Sequence, residues 1–174
     1  MGMDVYGRNP KTNENSVKPK DINFHESTEE QRDNYYATIE KYEKENPGQY
    51  FRANVWSWRP IHELICRFSD EHFTETGKIL IEEPVLVNMG MNDGDGPETD
   101  KQCQELARRF QIWMEHNANG ATLESDCRVE VNTGRFVKVE EEPDTPTVSA
   151  YGVDDEHLKE FVTFLENCGG FQVH

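Results

Sequence analysis

The stretch Tyr50 to Pro60, YFRANVWSWRP, places two tryptophans, a tyrosine, a phenylalanine and two arginines within eleven positions. Aromatic rings offer stacking and cation–π surfaces, and a guanidinium offers a planar fork for phosphate or carboxylate. From Tyr50 to Phe68 the only acid is Glu63, against Arg52, Arg59 and Arg67, so the stretch stands out from an acidic chain. Read as extended backbone, it turns Phe51 and Val55 to one side and Arg52, Asn54, Trp56 and Trp58 to the other. Such a mixed face, with Arg59 beside it, suits a nucleotide-like or other anionic small molecule. The competing reading is structural: buried tryptophans in the core, with arginine stems covering apolar surface and their heads tied to carboxylates.

A second candidate is the turn Asn92-Asp93-Gly94-Asp95-Gly96-Pro97. As a calcium loop with Gly96 at the glycine position it fails, since Met91 and Gln102 then stand where an acidic first and twelfth ligand are needed. As a phosphate cradle it is weakened by Asp93 and Asp95. Its residue types suit a turn that starts a helix, and Asn92, Asp93 and Gly94 can also border a ligand through side chain or backbone. A phosphate-ester hydrolase using Asp93, Asp95 and a borrowed cation is the third and weakest functional reading. His62 and Cys66 lie four apart, a metal-ligand spacing, but no second pair complements them. Nucleophile elbows, zinc-protease helices, Walker loops and dinucleotide fingerprints are absent. The expectation is therefore a non-enzymatic protein with no catalytic residue, no metal and no cofactor.

The elements that must position these residues follow from period and punctuation. MDVYG reads as a strand ended by Gly7, Asn9 and Pro10, and residues 11–26 read as a loop or linker. Residues 28–45 carry a helical stripe, Tyr35, Ile39 and Tyr42, with Ser27 or Thr28 as cap and Asn46-Pro47-Gly48 as stop. Pro60 is placed in the first turn of a helix running through IHELICRFSDEHF. Residues 79–91, ILIEEPVLVNMGM, read as a strand pair or an edge strand interrupted at Pro84. Cys103, Leu106, Ala107, Phe110, Trp113 and Met114 give the clearest helical period, over about 98–116. Residues 127–140 alternate around Thr133-Gly134 as a β-hairpin, EEEPDTPT follows as a loop, Asp154 or Asp155 caps a last helix, and FQVH closes as a strand. The sum is a single α+β domain with about four helices and short scattered strands.

At 174 residues, one core suffices. The net charge of −16 is concentrated in two blocks: residues 70–105 hold ten acids against two bases, and residues 139–174 hold nine against one. That balance argues against direct binding of nucleic acid or of an anionic membrane surface. It leaves room for a basic protein partner, with the acidic blocks serving as docking charge or DNA mimicry; solubility alone also explains it. The four cysteines form no C-x-x-C pair, so free, mostly buried thiols are expected, and without an apolar span or leader the chain reads as soluble and cytoplasmic.

GMDVYGRNP, YFRANVWSWRP, NDGDG and FLENCGGFQVH together resemble a family of small phage and prophage proteins, marked by G-x-DVYG, YFR-x-NVW-x-WRP, N-D-G-x-G and FL-x-x-CGGF motifs. The resemblance implies an accessory protein that works by binding, in the host cytoplasm, for example by sequestering a nucleotide signal as counter-defence. It also implies that the helix at 27–46 is a peripheral insertion. The residues expected to hold the ligand are Arg52, Asn54, Trp56, Trp58, Arg59, Asn92, Asp93 and Gly94.

Overall fold

In the first strand, Met3 and Val5 alternate with Asp4 and Tyr6, so one face is apolar and the other polar. The computed structural model of the chain describes residues 2–70, 78–117, 119–125, 128–131, 136–137 and 146–174. In it, β1 (Gly2–Gly7) is the middle strand of an antiparallel sheet, with β2 (Tyr50–Asn54) on one side and β8 (Phe171–Val173) on the other. Met3, Val5, Phe51, Ala53, Phe171 and Val173 are buried, and their neighbours in sequence point away from the core. The remaining strands are short. β3 (Ala121–Thr122) pairs with β7 (Gly152–Val153), and β4 (Arg128–Glu130) lies between β5 (Phe136–Val137) and β6 (Thr147–Ser149), all antiparallel.

Among the described residues, five helices complete an α+β fold: α1 (Glu29–Glu45), α2 (Val55–Ser69), α3 (Glu83–Gly90), α4 (Asp100–His116) and α5 (Asp155–Cys168). The core centres on Phe161 of α5, whose ring meets Phe51 at 5.0 Å, Phe110 at 5.4 Å and Trp58 at 6.1 Å between centroids. Burying each such side chain contributes roughly 1.5–3 kcal/mol, and these contacts fix α2, α4 and α5 beneath the sheet. Arg109 is a buried charge at the edge of α4; its guanidinium donates to Glu105 and to the carbonyl of Phe68. Gly169 ends α5 in the left-handed region at φ 61°, beside Asn9, and turns the chain into β8.

Two expectations are corrected. The segment from Tyr50 to Trp58 is not extended throughout: the strand stops at Asn54, whose Oδ1 accepts from the N–H groups of Trp56 and Ser57, both at 2.9 Å. Ser57 returns the bond to the Asn54 N–H, which closes a capping box and starts α2 five residues before Pro60. Residues 79–91 are not strand either. Glu82 and Pro84 begin α3 instead, because the fixed φ of proline suits a first helical turn as well as it breaks a strand.

Other expectations stand as read. Thr28 and Asp154 cap their helices and Asn46 ends α1; α4 is capped by Thr99, which was not among the expected caps, and no residue of α1 is buried. Residues 11–26 form no helix or strand, although Lys11 and Asn13 bond back to Asn167 and Asn46. The expected hairpin is present as the β4–β5 pair, while its Thr133-Gly134 turn, Cys127, the end of IHELICRFSDEHF and the Glu140 to Glu142 run lie outside the described residues. Among the described residues, no helix is long and apolar enough to cross a membrane.

Candidate functional site

The solvent face of the β2–β1–β8 sheet carries two rows of side chains. In the first, Arg52, Asp4 and His174 lie side by side across the sheet; Asp4 is in register with Arg52 and exchanges both backbone hydrogen bonds with His174, at 2.7 and 2.8 Å. Because Asp4 spends its backbone groups on that side, it faces Arg52 as a non-hydrogen-bonded pair, the arrangement in which Cα atoms approach to about 4.5 Å. The second row is Tyr50, Tyr6 and Gln172. The rings of Tyr6 and Tyr50 are 5.3 Å apart, and Tyr6 also meets the His174 ring at 6.0 Å.

The Tyr50 hydroxyl joins the rows by donating to Asp4 Oδ1 across 2.5 Å. Burial, that bond and the Asp4 charge together push the Tyr50 phenol far above its ordinary range, so it remains a donor. Burial, Asp4 and then Glu43 raise Tyr6 as well. Tyr6 is 45% exposed and offers an open ring. Arg52 is exposed, and among the described residues no hydrogen bond or ion pair engages its guanidinium. The face therefore combines a free cationic fork, an oriented carboxylate, an imidazole and an accessible aromatic surface.

The eight residues expected to bind ligand separate into five places. Arg52 lies in the first row. Asn92, Asp93 and Gly94 form a turn at the other end of that row: the Gly94 N–H donates to Val173, and a Cβ on Gly94 would fall 3.3 Å from the His174 ring. Asn92 takes a left-handed conformation at φ 63°, and its side chain and that of Asp93 are exposed. Trp56 and Arg59 belong to a different patch, where the Trp56 ring contacts Phe136 and Tyr151 and the Arg59 guanidinium lies 4.8 Å over Tyr151. Asn54 is committed to capping α2. Trp58 is 1% exposed and donates its Nε1–H to the Met89 carbonyl at 3.2 Å, so it has no face to offer a ligand.

Asp4, Tyr6, Tyr50 and His174 were not among the residues chosen. The alternation in MDVYG already put Asp4 and Tyr6 on one side of a strand, and that was the available signal. Nothing in the sequence alone shows that FQVH pairs with the first strand.

The spaced pair His62 and Cys66 is occupied. His62 Nε2 lies 2.7 Å from the Leu86 carbonyl, which requires an N–H on that nitrogen, and Cys66 Sγ lies 3.6 Å from the same atom. Burial first, and then Glu63, push the Cys66 thiol up to about 11, which keeps it from acting as a thiolate. A groove of about 1120 Å³ along α4 contains none of the eight residues, and its Arg108 and Arg109 are both held by Glu105. Among the described residues no group of three or more metal-ligating side chains occurs. Comparison of the chain with protein-family models, curated proteins and solved structures finds no match.

Proposed function

We propose that this protein binds a nucleotide-like anionic small molecule on the outer face of the β2–β1–β8 sheet. One observation carries the reading: the unengaged Arg52 guanidinium lies one row from the exposed ring of Tyr6. With 34 acids against 18 lysines and arginines, the chain has many carboxylates that could have neutralised an arginine. A guanidinium left open beside an aromatic surface suits a phosphate joined to a planar base. Open sheet faces with exposed aromatics bind bases by stacking, which tolerates sequence and needs no deep pocket. In this reading Arg52 takes the phosphate and Tyr6 the base, while His174 and the turn at Asn92 to Gly94 border the far end. The role is uptake of the ligand, in keeping with the phage-type accessory setting that the resemblance to phage and prophage proteins implies.

The test is mass spectrometry of small molecules released by heat from the purified protein. A phosphorylated compound should leave the unmodified protein and be missing from Arg52→Ala of equal melting temperature. The same compounds from both proteins, or none from either, would contradict the proposal.

A further inference from the structure

We infer that Asp4 makes this face selective for a nucleotide whose sugar keeps its hydroxyls, by accepting a hydrogen bond from one of them. This rests on the anion-binding reading of the face given above. An ionised carboxylate only accepts hydrogen bonds and has room for several. On Asp4 the Tyr50 hydroxyl fills one position, on Oδ1, and no other hydrogen bond among the described residues reaches the group. The Tyr50 hydroxyl holds the carboxylate in place, and the Asp4 backbone is paired to His174 on one side and in register with Arg52 on the other. A phosphate held by Arg52 therefore comes to rest beside a fixed negative charge.

That arrangement is unfavourable unless the ligand presents a donor at Asp4, because covering a carboxylate without giving it a hydrogen bond costs the full loss of its hydration. Asp4 lies directly across from Arg52 on the next strand, with Cα atoms about 4.5 Å apart. In a nucleoside 5′-phosphate the donors nearest the phosphate are the sugar hydroxyls; the amino groups of the base lie farther out. With the phosphate at Arg52 and the base on Tyr6 in the adjoining row, a hydroxyl of the sugar falls at Asp4. A ligand that lacks the hydroxyls leaves the carboxylate covered and unpaired.

The experiment is calorimetric titration of the full chain with each of the four ribonucleoside 5′-monophosphates and with their 2′,3′-dideoxy counterparts, repeated on Asp4→Asn and Arg52→Ala. The unmodified protein should bind at least one ribonucleotide tighter than its dideoxy form by about tenfold or more. Asp4→Asn keeps an acceptor for Tyr50 but loses the charge, so it should weaken ribonucleotide binding and leave dideoxy binding equal or tighter, which closes the gap. A merely structural Asp4 would weaken both alike, and that result overturns the inference. Equal binding of both forms by the unmodified protein also overturns it, while the anion-binding reading survives if Arg52→Ala abolishes that binding. Binding of neither form overturns the inference together with the reading it rests on.

Discussion

The Tyr50 hydroxyl and the Asp4 carboxylate, 2.5 Å apart on adjacent strands, lock the two rows of the outer sheet face to each other. The bond needs the phenol in its neutral form. Because the folded protein raises the Tyr50 pKa, its contribution to stability is complete below the unfolded value of about 10 and declines as pH rises beyond it. Melting curves of the unmodified protein and Tyr50→Phe should therefore differ by a constant amount at neutral pH and converge in alkali. A difference that grows with pH would contradict this.

Asn54 acts through the backbone of α2. Asn54→Ala should destabilise the protein by about 1 kcal/mol in urea unfolding, and Asn54→Asp should restore most of it. Ligand binding should be unchanged by either substitution, because the side chain's acceptor faces Trp56 and Ser57.

Trp58 and Trp56 should part company on truncation. Trp58→Ala removes a fully buried ring from the Phe161 cluster together with its bond to Met89, a loss of about 3–5 kcal/mol in denaturant unfolding. Trp56→Ala, at a half-buried position against Phe136 and Tyr151, should cost less. Equal losses would mean that the aromatic patch is as much a part of the core as Trp58 is.

Glu105 supplies an acid-sensitive element. The Arg108 fork lowers its pKa most, burial opposes that, and Arg109 adds to the lowering, bringing it down to about 2. A depressed carboxylate contributes stability above its unfolded value of about 4.3 and loses it as pH falls through the folded one. The difference in melting temperature between the unmodified protein and Glu105→Gln should be present at neutral pH and shrink steadily below pH 4.3. If it persisted undiminished to about pH 2, the ion pairs would not be its source.

Local signals made the helices legible. Caps at Thr28 and Asp154, and the apolar stripe from Cys103 to Phe110, belong to single helices and needed no knowledge of neighbours. The α2 start was missed because Asn54 and Ser57 form a capping box with serine in place of the usual Glu or Gln. α3 was missed because a β-branched run around Pro84 fits a strand and a first helical turn equally. The site was half legible for a different reason: Arg52 and the turn at Asn92 could be singled out by residue type. Their shared face, however, depends on β1 lying between β2 and β8, and that pairing joins the two ends of the chain.

The central claim is that Arg52, rather than Arg59, is the anion anchor. Calorimetric titration of one ribonucleoside 5′-monophosphate that the unmodified protein binds, into Arg52→Ala and Arg59→Ala of matched melting temperature, tests it most directly. Binding should disappear in Arg52→Ala and be retained in Arg59→Ala. Loss in Arg59→Ala with retention in Arg52→Ala would contradict it and move the site to the Trp56 and Tyr151 patch.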